Sequence, residues 1–111
     1  MTARGYLGEF EQIVMLAVAR LDEEGYGMSI RREIERTAGR PVSIGAVYAT
    51  LERLEAKGLV STAVGESTPV RGGRPKRFYT VQPAGRRALL LSRRALDRMW
   101  DGLDWELDEG V

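Results

Sequence analysis

Apolar residues recur at helical spacing up to residue 58, alternate like a strand from 59 to 81, and return to helical spacing from 83 onward. Phe10, Ile13, Val14, Ala17 and Leu21 predict a first helix over residues 8–22. Met15, Leu16 and Val18 widen its stripe, so this helix is expected to pack on two sides, one of them a partner subunit. Gly25-Tyr26-Gly27 breaks the pattern. A second helix is predicted from Met28 to Ala38, with Ile30 and Ile34 inward and Arg31, Arg32, Glu33, Glu35 and Arg36 outward; Gly39-Arg40-Pro41 ends it. Ile44, Val47, Leu51 and Leu54 then form one stripe of a third helix. Ser43 offers its hydroxyl to a backbone N–H at the start, and Gly58 suits the left-handed residue past the end.

Leu59 to Val64 and Lys76 to Val81 read as two strands, with Gly65 to Arg74 as the loop of a hairpin. Pro83 opens a last helix predicted to run to about Leu107. Leu89, Leu96 and Leu103 lie seven apart, with Met99, Trp100 and Leu107 beside them, a seam at heptad spacing. A helix of about 20 residues is about 30 Å long, more than so small a domain needs. A homodimer is therefore expected, its interface drawn from Phe10, Val14, Leu89, Leu96, Met99, Trp100, Leu103 and Leu107.

The third helix is informative on its other face. At about 100° per residue, Gly45, Ala46, Ala49, Thr50, Arg53 and Lys57 point away from the apolar stripe. Small residues at the front and cations behind would let the helix enter a DNA major groove while the cations meet phosphates. A close contact with a neighbouring helix would use the same small residues. Two helices joined by a few residues, the second small-faced, is the helix-turn-helix layout. The hairpin behind it carries Arg71, Gly73, Arg74 and Lys76 at or near its tip, the position of the wing in a winged helix. Such a tip serves a minor groove or phosphates; a merely solvated cationic loop is the plainer alternative. The small-faced helix and the basic tip occurring together favour the wing.

Composition narrows the function. The 111 residues are 43% hydrophobic and 30% charged, as in one small globular domain. No cysteine and no histidine are present, so disulfides, thiolate metal sites and the commonest general base are excluded. No cofactor is expected, and the acids form no catalytic constellation, so an enzyme is not expected. No run approaches the roughly 20 apolar residues of a membrane span, and the N-terminus lacks a signal-peptide layout. A soluble, cytoplasmic protein is the expectation. Net charge is only +1, but Arg71, Arg74, Lys76, Arg77, Arg86, Arg87, Arg93 and Arg94 have no acid among them. Asp97, Asp101, Asp104, Glu106, Asp108 and Glu109 come next along the chain, with Arg98 the only base.

The motifs resemble one known family. Tyr26-Gly27, the run from Ser43 to Val60 (Ser-Ile-Gly-Ala-Val-Tyr-Ala-Thr-Leu-Glu-Arg-Leu-Glu-Ala-Lys-Gly-Leu-Val), and Arg74-Pro75-Lys76-Arg77-Phe78-Tyr79-Thr80-Val81 with Gly85 are similar to the PadR family of winged-helix transcriptional regulators. The likeness covers nearly the whole chain, in the shorter branch with a single C-terminal helix. It departs at Gln82, where the last helix usually begins with Thr, and nothing in the family pattern matches the acidic residues from Asp104 to Val111.

The resemblance implies a dimeric repressor on palindromic operator DNA, with Ser43, Gly45 and Tyr48 facing the duplex. It also implies a small aromatic effector as a possible partner, with Trp100 the residue that would line its site. The expected fold is α+β, mainly α: a winged helix-turn-helix of three helices and a two-stranded β wing over residues 1–82. A C-terminal dimerisation helix with an acidic tail occupies 83–111. The candidate DNA-binding set is Ser43, Gly45, Ala46, Tyr48, Ala49, Thr50, Arg53, Arg71, Gly73, Arg74 and Lys76. A winged-helix module that binds protein instead of DNA is the alternative.

Overall fold

The computed structural model describes residues 7–65 and 75–107. Their order is α1 (Glu9–Leu21), α2 (Gly27–Ala38), α3 (Ile44–Ala56), β1 (Val60–Val64), β2 (Arg77–Val81) and α4 (Pro83–Trp100), with a short 3-10 turn (Asp22–Glu24) after α1. The expected α+β, mainly α architecture is present. Local chemistry sets the boundaries. The Ser43 hydroxyl accepts the Ala46 N–H at 3.1 Å, satisfying one donor left open at the start of α3. Gly39 (φ 66°) and Gly58 (φ 75°) carry the chain out of α2 and α3 through the left-handed region, where a Cβ would be strained.

The three stripes read from the sequence meet in one core. Val14, Met15 and Val18 of α1, Ile30 and Ile34 of α2, and Val47, Leu51 and Leu54 of α3 are buried together with Val60 and Tyr79. Each such aliphatic side chain contributes about 1.5–3 kcal/mol by leaving water. The strands pair antiparallel with Val60 opposite Val81 and Val64 opposite Arg77, and the Gly65 N–H donates to the Lys76 carbonyl at 2.7 Å. The Tyr79 N–H donates to the Gly25 carbonyl at 2.8 Å, tying β2 to the turn before α2.

The last helix docks where it presents no bulk. Gly85, Ala88 and Ser92 are its buried residues, and a Cβ on Gly85 would overlap the Leu59 carbonyl oxygen and the Met15 methyl. Gln82 makes no cap bond with its side chain, which instead donates to the Ser61 hydroxyl at 2.6 Å.

Four expectations are corrected. Val14 is fully buried inside the protomer, so it is not available to a second chain. The wide stripe of α1 is used mostly within one molecule, leaving Leu16 exposed; Phe10 and Leu89 are half-buried against the same core. The last helix ends at Trp100, seven residues before Leu107. Gly102 takes a left-handed φ of 87°, and the Leu103 N–H turns back to the Trp100 carbonyl at 2.8 Å, so Leu103 and Leu107 leave the helical seam. Glu33 points inward with its side chain 8% exposed, because Arg20, Arg36 and Thr37 converge on its carboxylate.

Candidate DNA-binding surface

The exposed side of α3 is nearly bare. Ser43, Gly45, Ala46 and Ala49 all face solvent, and nothing lies within 4 Å of where a Cβ on Gly45 would sit. Among the described residues no neighbouring helix covers this face, so the small side chains are not consumed by internal packing of the protomer. Tyr48 is 43% exposed, and its phenol lies across Gly27 at the first turn of α2. Thr50 departs from the expectation. It is only 2% exposed, because the helix rolls this position toward the core. Its hydroxyl instead accepts from the Arg53 guanidinium at 3.1 Å, which steadies an exposed cation on the same helix. Lys57, also read as a free cation, is drawn to Glu11 at 2.8 Å. Burial pushes the Glu11 carboxyl up, but the Lys57 hydrogen bond and the Gly8 amide outweigh it and leave it below the usual carboxylate range.

The base of the hairpin is held by residues that hydrophobic periodicity does not reveal. The Lys76 ammonium sits 4.2 Å from the centre of the Tyr26 ring. That ring meets Phe78 edge to face at 5.7 Å, and the Tyr26 hydroxyl accepts from Arg32 at 3.0 Å. The Arg32 hydrogen bond, with help from Lys76, draws the Tyr26 hydroxyl below its ordinary pKa. A cation over an aromatic face is worth about 0.5–1 kcal/mol at an exposed site. Tyr26 therefore couples the start of α2 to the hairpin, and Lys76 is aimed rather than free. The only sequence signal for this cluster was the Tyr26-Gly27 pair, since an aromatic at a helix boundary has no period to betray it. Arg71, Gly73 and Arg74 lie outside the described residues. An open groove of about 580 Å³ runs between α3 and β2, floored by Tyr26, Tyr48 and Tyr79 with Lys76 on its rim.

This is a small-faced helix beside a β hairpin, with cations Arg53 and Lys76 fixed at its flanks. Residues 15–90 match the family described as the transcriptional regulator PadR-like family. The chain belongs to that family. The transcriptional regulator Rv3488 of Mycobacterium tuberculosis (strain ATCC 25618 / H37Rv) is 45% identical over 78 residues, 70% of this chain and 68% of its own. The PadR family transcriptional regulator of Eggerthella lenta DSM 2243 superposes with a TM-score of 0.67 at 24% identity, covering 86% of this chain and 82% of its own. The PadR-like transcription factor of Bacteroides fragilis gives a TM-score of 0.70 at 24% identity, covering 81% and 82%. The winged-helix fold and a role in transcriptional regulation follow, with DNA binding implied by PadR membership.

A second surface lies along α1 and α4. Leu16 of α1 and Leu90, Leu96 and Trp100 of α4 are exposed large apolar side chains. They line an open groove of about 590 Å³ between the two helices, with Gln12, Leu89, Arg86, Arg93 and Asp97. Trp105 meets Trp100 edge to face at 6.2 Å beyond the helix end. No described helix is long and apolar enough to cross a membrane.

Proposed function

We propose that the protein is a cytoplasmic, sequence-specific repressor that binds a palindromic operator as a homodimer. The observation that carries this is the uncovered face of α3, where Ser43, Gly45, Ala46 and Ala49 leave room for base edges while Tyr48 and Arg53 stand beside them. Ser43, Gly45, Tyr48 and Ala49 set the helix into the major groove; Arg53, Lys76 and the hairpin arginines Arg71 and Arg74 hold phosphates. Thr50 supports Arg53 from below. Residues 1–82 form the reading unit and residues 83–111 the pairing unit. The exposed Leu96, Met99 and Trp100 of α4 supply the dimer seam, with Leu16 of α1 added to it. A small aromatic effector would sit against Trp100, at the far end of the α1–α4 groove.

The test is selection of bound duplexes from genomic DNA, then titration at several salt concentrations. Binding should fall linearly in log K against log salt, by about 0.9 per phosphate contact, and Arg71→Ala with Arg74→Ala should flatten that slope for every sequence alike. A loss confined to one operator would contradict the phosphate role. Absence of duplex binding at low salt would favour a protein-binding module. Leu96→Asp should give monomers by ultracentrifugation; an unchanged dimer would dismiss the α4 seam.

A further inference from the structure

We propose that the segment from Leu103 to Leu107 of one copy docks on the arginine-bearing stretch of α4, Arg86 to Arg94, of a second copy. This rests on the homodimer proposed above.

The helix is electrically lopsided. Its first twelve residues expose Arg86, Arg87, Arg93 and Arg94, and its end, with the residues just past it, exposes Asp97, Asp101, Asp104 and Glu106, with Arg98 the one base among them. Among the described residues, Arg93 alone of the four arginines is ion-paired, to Asp97 at 3.6 Å, with both side chains largely in water. Such an exposed pair is worth little. Asp104 and Glu106 have no ion pair with a described residue. They stand at the far end of α4 from Arg86, and about 21 Å of helix separates Arg86 from Trp100. Arg86 of their own chain is therefore out of reach.

The segment alternates apolar and acidic residues, Leu103-Asp104-Trp105-Glu106-Leu107, and its apolar members are exposed, Trp105 at 74% and Leu107 at 93%. The groove beside Arg86 and Arg93 alternates in the complementary sense, with Leu90 between the cations and Leu89 at its floor. Acids would meet arginines while leucines and the indole cover Leu90.

A two-fold axis supplies the geometry. In an isologous antiparallel pair crossing near Leu96, only four helical residues lie past the crossing, so the chain beyond Trp100 of one copy lies over the N-terminal half of the other helix. Ten helical residues back from Leu96 to Arg86 span about 15 Å, and five extended residues reach about 17 Å. The helix from Leu96 to Trp100 covers about 6 Å of that distance, so the segment has the length to cover the remainder to Arg86 of the partner. The reversed charge order favours this antiparallel pairing, since a parallel one would stack like charges.

Two charge-reversed variants test this by sedimentation equilibrium: Asp104→Arg with Glu106→Arg, and Arg86→Glu with Arg93→Glu. All four sites are exposed, so circular dichroism should match wild type. Each variant alone should dimerise at least tenfold more weakly than wild type, and an equimolar mixture should restore dimers, because both contacts are then between opposite charges. Variants that dimerise like wild type would overturn the inference while leaving the homodimer intact. So would a mixture that fails to recover, which would mean the segment acts within its own chain. Loss of duplex binding by Arg86→Glu/Arg93→Glu with the dimer unaltered would assign the arginines to DNA and overturn it too. A wild-type protein that is monomeric throughout would instead remove the homodimer itself.

Discussion

The hydroxyl end of the Tyr48 ring occupies the place of a Cβ on Gly27, so α3 crosses the first turn of α2 where no side chain fits. Position 48 of the exposed helix is thus set by a residue 21 places earlier. A Cβ at Gly27 would overlap the hydroxyl end of a side chain that is 43% exposed and can swing outward. Gly27→Ala should change stability by less than about 1 kcal/mol, since the gain in helix propensity offsets the displaced ring. It should nevertheless weaken operator binding severalfold by moving Tyr48. Thermal melting beside a fluorescence titration checks both; a large stability loss would mean that the ring cannot yield.

Tyr26 joins a cation, an aromatic and a guanidinium at the base of the hairpin. Tyr26→Ala removes the edge-to-face partner of Phe78 and the platform under Lys76, which together are worth about 1–2.5 kcal/mol. Tyr26→Phe keeps both and loses only the Arg32 hydrogen bond, at about 1 kcal/mol. Hydrogen exchange in β2 should accelerate in the first variant and change little in the second.

Gly85 tests the seating of α4. Here the overlap of an added Cβ is with the Leu59 backbone carbonyl as well as the Met15 methyl, and backbone cannot swing aside. Gly85→Ala should cost about 1–3 kcal/mol despite being a favourable change for an isolated helix. Urea unfolding gives the sign. A stabilised variant would show that α4 can shift on the domain.

Glu33 should make the fold acid-sensitive. The Arg36 guanidinium first, then Arg20 and the Thr37 hydroxyl, hold its carboxyl down at about 2 against an ordinary 4.5. Because the folded pKa is the lower one, the carboxylate's contribution is complete above pH 4.5 and disappears as pH falls toward 2. Melting temperature should drop across that window in the wild type, and the Glu33→Gln curve should be flatter there. Parallel curves would assign the acid loss to other carboxylates.

The boundaries of α1, α2 and α3, the hairpin and the bare face of α3 were legible because each arises from local rules. Ser43 caps whatever helix comes next, Gly39 and Gly58 admit a left-handed exit, and Ile44, Val47, Leu51 and Leu54 repeat at a helical period. Angular counting failed at Thr50 and Glu33 because it treats polarity as exposure. Thr50 is buried one turn from the core residues Val47 and Leu54, its hydroxyl met by Arg53, and Glu33 is drawn inward by Arg20 with Arg36. Heptad spacing at Leu89, Leu96 and Leu103 overran the true end of α4, since a seven-residue repeat is blind to a left-handed Gly102.

What the amino-acid order determined by itself was the set of elements, their stripes and the family, all properties of residues within a few turns of one another. What only the tertiary structure decided was which long-range neighbours share each surface. Tyr48 meets Gly27, Lys76 meets Tyr26, and Gly85 meets Leu59, pairs 21 to 50 residues apart that no period links. Those pairings come from the volume left when three amphipathic helices close on one core, a quantity that exists only once all of them are in place.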